Sequence, residues 1–509
     1  MQLKRSTYLF QSTRGLVLLA ITMIAIVTVL FGTLSGPMKE WGVTDLVTDL
    51  TGLKLVPAER EGRIVILYHA ISMAVVAINT YFITGNLALR DQQRKLINGI
   101  ITAGYLTSMI FGLSFVYFGH NWILHGLWLF GLSLMFFAGI LLTIVLWPWK
   151  KEYRVLDPAY SRTKSGVDLE RVAFFTMAVA TLGSALFGAI TGSYWGNGHE
   201  TFLAEDLIRE PHKTLLQLSI IGHLHIMLTL IGISITLIIG RWFNFKGQLH
   251  KLAMPMMIFG TIVITVGAWS VILTEAAHYI IYLGSVLVML AALLLVIFAW
   301  DKLIRGGVAE NGLEKGNVFQ KIGALLRDPL RFGSTWQMVF MNFTVSGVGI
   351  FTAVKLDEIF RVWPARDERI ILTGHWHVLS GIIATIILFY YAALVGLKGR
   401  ARKLFGWVVI IFSDIAFAAA TVFELKRLFV SEAEQQPLVN TTMLLMDIGL
   451  GVVLLALAIF LIWRWLDWLK KDGQWKEELV EEGFDKLKEI EELSIPLKVT
   501  IQPDVEVRR

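Results

Sequence analysis

Gly374-His375-Trp376-His377 decides how this chain is read, and it stands a few residues into a long apolar run that begins near Arg369. On a helix each residue turns by about 100°, so histidines at i and i+2 point roughly 200° apart. They cannot share one metal ion, but each can ligate a different cofactor on its own side of the helix. The pattern occurs earlier as Gly222-His223-Leu224-His225, and with a single histidine at Tyr68-His69-Ala70. His69 and His225 are 156 residues apart, and His225 and His377 are 152 apart. This is a threefold internal repeat with a histidine at one depth in each copy.

Composition sets the surroundings of that repeat. A chain of 509 residues that is 55% apolar, with 17 tryptophans and a mean hydropathy of +0.63, reads as a polytopic membrane protein. Met1 to Arg14 is basic and polar and runs straight into a full-length apolar stretch, so no cleavable signal peptide is expected. The absence of cysteine excludes thiolate-bound iron–sulfur clusters, a cysteine-containing copper centre and a CxxCH haem attachment. Any redox cofactor held by this chain alone must hang on histidine, methionine, tyrosine or carboxylates. The net charge of +6 calls for no nucleic-acid partner, since basic loops on one membrane face explain it.

Apolar runs of about 20 residues, each enough to cross roughly 30 Å of hydrocarbon, fall near 14–36, 63–85, 97–118, 122–147, 171–194, 214–240, 251–274, 278–300, 335–355, 369–396, 403–425 and 439–465. The expected fold is all-α, a bundle of twelve transmembrane helices in three four-helix arcs with pseudo-threefold symmetry. The repeats cover about 10–150, 165–305 and 330–466, so residues 1–466 form the membrane domain. Short connections at Gly119-His120-Asn121 and Glu275-Ala276-Ala277 make hairpins of the third and fourth and of the seventh and eighth spans. Lys4, Arg5, Arg90, Lys150, Lys151, Lys164, Arg241, Lys302, Lys321, Arg400 and Lys403 all fall on the amino-terminal side. The positive-inside rule then places both ends in the cytoplasm of a multi-pass cell-membrane protein. The second, sixth and tenth spans enter from the outer face, which puts His69, His223, His225, His375 and His377 close to it. His250 falls on the cytoplasmic side. Residues 467–509 read as a charged, partly heptad-like cytoplasmic tail (Trp475, Leu479, Phe484, Leu487, Ile490) that is extended after Pro496.

An unpaired imidazole in hydrocarbon costs free energy, so histidine within a span is rare. One reading is that each ring hydrogen-bonds a neighbouring helix. The other, favoured for five histidines at repeat-related positions, is axial ligation of haem between helices. Gly222 and Gly374, just before the histidines, suit close helix approach beside a flat macrocycle.

Twelve spans, a histidine in span two, Gly-His in span six and His-x-His in span ten resemble the catalytic subunit of haem–copper oxidases and of the related nitric oxide reductases. The resemblance covers roughly residues 10–465. It implies that His69 and His377 clamp a low-spin haem between spans two and ten. It likewise implies that His375 is the proximal ligand of a second haem and that His223 is the span-six histidine bound to a non-haem metal. Lys426-Arg427, at the outer end of span eleven, stands where the family keeps a basic pair on haem propionates; ordinary interfacial snorkelling is the other reading.

The departures from that family are equally specific. Span seven reads Thr265-Val266-Gly267-Ala268-Trp269-Ser270-Val271, without the family's adjacent histidine pair, and His278 is the only histidine nearby. The oxidase tyrosine four residues after the span-six histidine is Met227 here, and a glutamate two residues after it is replaced by His225. A three-imidazole copper or iron site of the usual design cannot be built from this set. One option is that His223 or His225 completes a six-coordinate haem on His375, and a second is that either stands as a distal hydrogen-bond donor. A metal site rebuilt from His278, Glu275, His120 or His125 is the third option, with His125 also open to a further haem or metal. His199 and His212 read as surface residues of an outer loop. Asp414, Asp447 and the pair Lys355 and Asp357 read as ion-pairing groups rather than a proton relay.

Three functions are therefore expected to compete. The first is electron transfer through two b-type haems with the copper site lost, between a partner on the outer face and a quinol or another membrane subunit. That partner would carry a cytochrome or iron–sulfur centre. The second is a terminal reductase of oxygen or nitric oxide with an unusual non-haem copper or iron site. The third is a transporter or structural bundle without redox cofactor.

Overall fold

The structure is a computed structural model that describes residues 4–34, 37–53, 55, 60–119, 121–194, 215–274, 276–310, 312 and 316–484. It is helical throughout; among the described residues no strand forms, only an isolated bridge between Arg162 and Asp168. Among the described residues twelve helices are long and apolar enough to cross a membrane. They are Thr13–Gly32, Gly62–Asn86, Asp91–Phe118, Trp122–Leu146, Leu169–Thr191, Gly222–Trp242, Gln248–Ser270, Ala277–Glu310, Pro329–Val354, Gly374–Leu394, Gly399–Glu424 and Glu432–Leu469. Every expected span is present, with shifted ends. The eighth runs on to Glu310, and the ninth starts at Pro329 rather than 335. Asp328 caps that ninth helix by accepting from the Arg331 amide at 3.4 Å, with proline in the first turn.

Span sequence also dictates who packs against whom. Successive helices pair as hairpins, third on fourth, seventh on eighth and eleventh on twelfth, while the sixth touches both the second and the tenth in the interior. The sixth and tenth spans are 67% and 61% buried, against 17% for the twelfth, which separates inner helices from outer ones. Glycine sets the closest hairpin approaches: a Cβ at Gly131 would lie 2.4 Å from the Ser108 amide nitrogen, and one at Gly284 2.5 Å from that of Ile264. Outward faces carry exposed apolar side chains such as Leu283 and Ile459, consistent with contact to lipid. Within the ninth span Met341–Ser346 forms a wide π turn, and the Ser346 hydroxyl donates to the Met341 carbonyl five residues back at 3.0 Å.

The start of the tail is part of the bundle. Its helix Trp475–Glu481 buries Trp475 and Leu479, the two apolar positions one turn apart. Glu478 accepts from the Tyr8 hydroxyl at 2.7 Å and from Arg464 Nη2 at 2.7 Å. Glu482 accepts from the Thr13 and Arg14 amides at 2.7 and 3.2 Å, satisfying N–H groups that the first turn of a helix leaves unpaired. Burial pushes the Glu482 carboxyl above its ordinary range despite these bonds. Leu487, Ile490 and Pro496 lie outside the described residues.

Candidate functional site

The inner helices bring the histidines together in pairs, each ring meeting a different span. His69 on the second span and His223 on the sixth have ring centres 6.4 Å apart and planes within 14° of parallel. His225 on the sixth and His375 on the tenth have centres 6.1 Å apart, tilted by 38°. His377, on the opposite face of the tenth span, is hydrogen-bonded through Nε2 to the Tyr68 hydroxyl. The resemblance pairs His69 with His377; here His69 faces the sixth span instead, and its neighbour Tyr68 meets His377. The reason is rotational. Adjacent residues on a helix diverge by about 100°, so turning His69 toward the sixth span turns Tyr68 toward the tenth.

Three of these rings are anchored in the same way. His69 Nδ1 donates to the Val65 carbonyl at 2.8 Å, His223 Nδ1 to Ser184 at 3.0 Å and His375 Nδ1 to Ile371 at 3.3 Å. A carbonyl only accepts, so each bond keeps the proton on Nδ1 and leaves the Nε2 lone pair outward, the arrangement typical of a metal-ligating imidazole. His225 differs, since its Nε2 accepts from the Trp376 indole N–H at 3.2 Å.

Glycines make room for these rings. A Cβ at Gly188 would stand 2.4 Å from His223 Cε1 and 2.5 Å from its Nδ1, and one at Gly349 3.3 Å from His375 Cδ2. Gly374 is covered by the buried Glu424 of the eleventh span, whose carboxyl carbon would lie 2.2 Å from an added Cβ. Gly188→Ala is expected to cost about 1–3 kcal/mol through overpacking, seen as a lower unfolding midpoint in detergent. Gly126→Ala, where the new methyl meets nothing within 4 Å, serves as the silent control.

The remaining candidates have other occupations. Lys426 and Arg427 both close on Asp367, at 2.5 and 2.7 Å. Burial works against the Asp367 charge, but those two cations win and hold its carboxyl below the ordinary range. His125 lies among Phe115, Trp122 and Trp128, with ring centres 4.9 to 6.0 Å away. His250 is buried and accepts from the Ser161 amide at 2.9 Å, tying down the loop before the fifth span. His278 is exposed at the start of the eighth span. His120, His199, His212 and Glu275 lie outside the described residues. Asp414 is held inside by Trp336 Nε1 and Gln337 Nε2, both at 2.8 Å, and Lys355 pairs with Glu358 at 2.5 Å. Among the described residues no three His, Asp or Glu side chains converge as a non-haem metal site would need.

Sequence reasoning missed Tyr68, Gly188, Gly349 and Glu424. Tyr68 was adjacent to a chosen histidine, whereas nothing local distinguishes Gly188 or Gly349 among 44 glycines. Fold and site together define an all-helical polytopic membrane protein with inner-helix imidazole pairs. No family model, curated protein or solved structure matches the chain.

Proposed function

We propose that this chain is a membrane haem protein that carries electrons, with two b-type haems seated between its inner helices. The observation that carries the reading is the spacing of the two imidazole pairs, 6.4 and 6.1 Å between ring centres. Two metal–nitrogen bonds of about 2 Å each, plus about 1 Å from each nitrogen to its ring centre, come to roughly 6 Å. His69 with His223, and His225 with His375, therefore fit as axial pairs. Haem iron held by two histidines supplies a one-electron carrier. The residues' part is to fix ring tautomers through backbone carbonyls and to exclude water with apolar helices.

The reading keeps the resemblance to haem–copper oxidases, including three four-helix arcs around spans two, six and ten, and changes one pairing. Tyr68 takes, opposite His377, the place the resemblance gives to His69. Electrons would pass between a cytochrome or iron–sulfur partner on the outer face of the cell membrane and a quinol or a further membrane subunit. The basic loops put both ends of the chain in the cytoplasm under this reading.

One contact favours the second reading, a terminal reductase. Trp376 bonds the same His225 nitrogen that axial ligation needs, and while it does so one side of the His375 seat stays open. The reduced spectrum of the purified protein with and without carbon monoxide separates the two. Two six-coordinate haems leave the spectrum unchanged, and an open seat shifts it. A protein with no Soret absorbance ends both readings.

A further inference from the structure

Two carboxylates lie at one depth in neighbouring spans and are treated in opposite ways. Asp414 of the eleventh span points inward and receives N–H donors from Trp336 and Gln337 of the ninth, both at 2.8 Å. Gly449 of the twelfth span packs on the same level, since a Cβ there would lie 2.6 Å from the Phe412 carbonyl oxygen and 2.8 Å from Ala416 Cβ. Phe412 is at the middle of the span Gly399–Glu424. Asp447 is two residues from Gly449, about 3 Å along the axis and roughly 200° around it. It is therefore as deep as Asp414 but faces away from the bundle. It is exposed, beside Leu444, Leu450 and Leu454, which are 59%, 45% and 51% exposed.

We infer that this face of the twelfth span is the docking surface for a membrane helix of a partner subunit that carries lysine or arginine at mid-depth. A carboxylate turned to hydrocarbon is costly to insert and is ordinarily paired or turned inward. Asp414 shows how the fold avoids that cost inside; at Asp447 no donor from the described residues is at hand, which leaves that place to a partner. Charge complementarity selects the occupant. From Gln435 to Trp463 Asp447 is the sole charged residue, so a symmetric contact with a second copy through this face sets acid against acid. Lipid amines are in the headgroups, about 15 Å from the midplane. Gly451, one turn from Asp447, leaves open space where a Cβ would meet nothing within 4 Å, a notch that lets a partner backbone come close.

The native chain has no cysteine, so Leu455→Cys, on the flank of this face, takes a single fluorophore. The labelled full chain is reconstituted in phosphatidylcholine vesicles with a quencher-labelled polyleucine helix bearing one central lysine, or with the same helix lacking it. The lysine helix is expected to half-quench at a peptide-to-lipid ratio about tenfold lower, the scale of a strong interhelical polar contact. Asp447→Leu is expected to abolish the difference while keeping helix content and elution volume. Equal quenching by the two helices, or a lysine effect that survives Asp447→Leu, overturns the proposal. Self-quenching between labelled chains without peptide also overturns it, in favour of a second copy. None of these readouts depends on haem.

Discussion

His69→Ala and His223→Ala are each expected to lose the same haem and keep the other, and His375→Ala to lose the second. Haem per chain, measured by pyridine haemochrome, and the band missing from the reduced spectrum identify which seat has emptied. The rings of His69 and His223 stand 6.4 Å apart, and both turn their Nε2 away from a backbone carbonyl bond. Under the proposed ligation, removing either would leave a single axial ligand where two are needed. His377→Ala is the discriminating variant. Its ring is bonded to Tyr68, so both haems are expected to remain, whereas a His69–His377 sandwich would lose the same haem as His69→Ala. Full haem content in His69→Ala, His223→Ala and His375→Ala alike would end the ligand assignment.

Glu478→Ala is expected to destabilise the protein by about 3–5 kcal/mol, because it leaves the buried Arg464 charge with Asp467 alone, 3.9 Å away. Arg464 and Glu478 side chains are 1% and 3% exposed and 2.7 Å apart, and Tyr8 bonds both. Burial pushes the Glu478 carboxyl up, opposed by the Arg464 charge. The double variant Arg464→Met, Glu478→Leu is expected to recover much of the loss, since a well-packed apolar pair replaces a buried ionic one at little net cost. Unfolding midpoints in detergent for the two single variants and the double decide it. Additive losses would mean that the two side chains act independently.

The twelve spans were legible because hydrocarbon thickness leaves so strong a mark: a run of about 20 apolar residues has few other uses. The histidine positions were legible for a related reason, since a polar ring inside such a run stands out. Which ring meets which was not. His69 and Tyr68 are neighbours in sequence, and a modest rotation of the second span decides whether one or the other faces the tenth. That rotation is a matter of packing between helices far apart in sequence, and no local pattern announces it. The tail was similar: Trp475 and Leu479 announced a helix with an apolar face, but its target was Tyr8 and Arg464. One partner of Glu478, Tyr8, lies 470 residues earlier in the chain, beyond the reach of any periodicity.

Glu482 reaches back 469 residues to the first turn of the opening span. That helix enters the membrane long before its second cap exists, and only Ser12, whose hydroxyl accepts from the Gly15 amide at 2.9 Å, serves it meanwhile. This cap can form only after residue 482 has been added, so the first turn of Thr13–Gly32 is completed by a part of the chain made long after it. Until then the Arg464 guanidinium also lacks the Glu478 carboxylate that stands 2.7 Å from it in the folded chain.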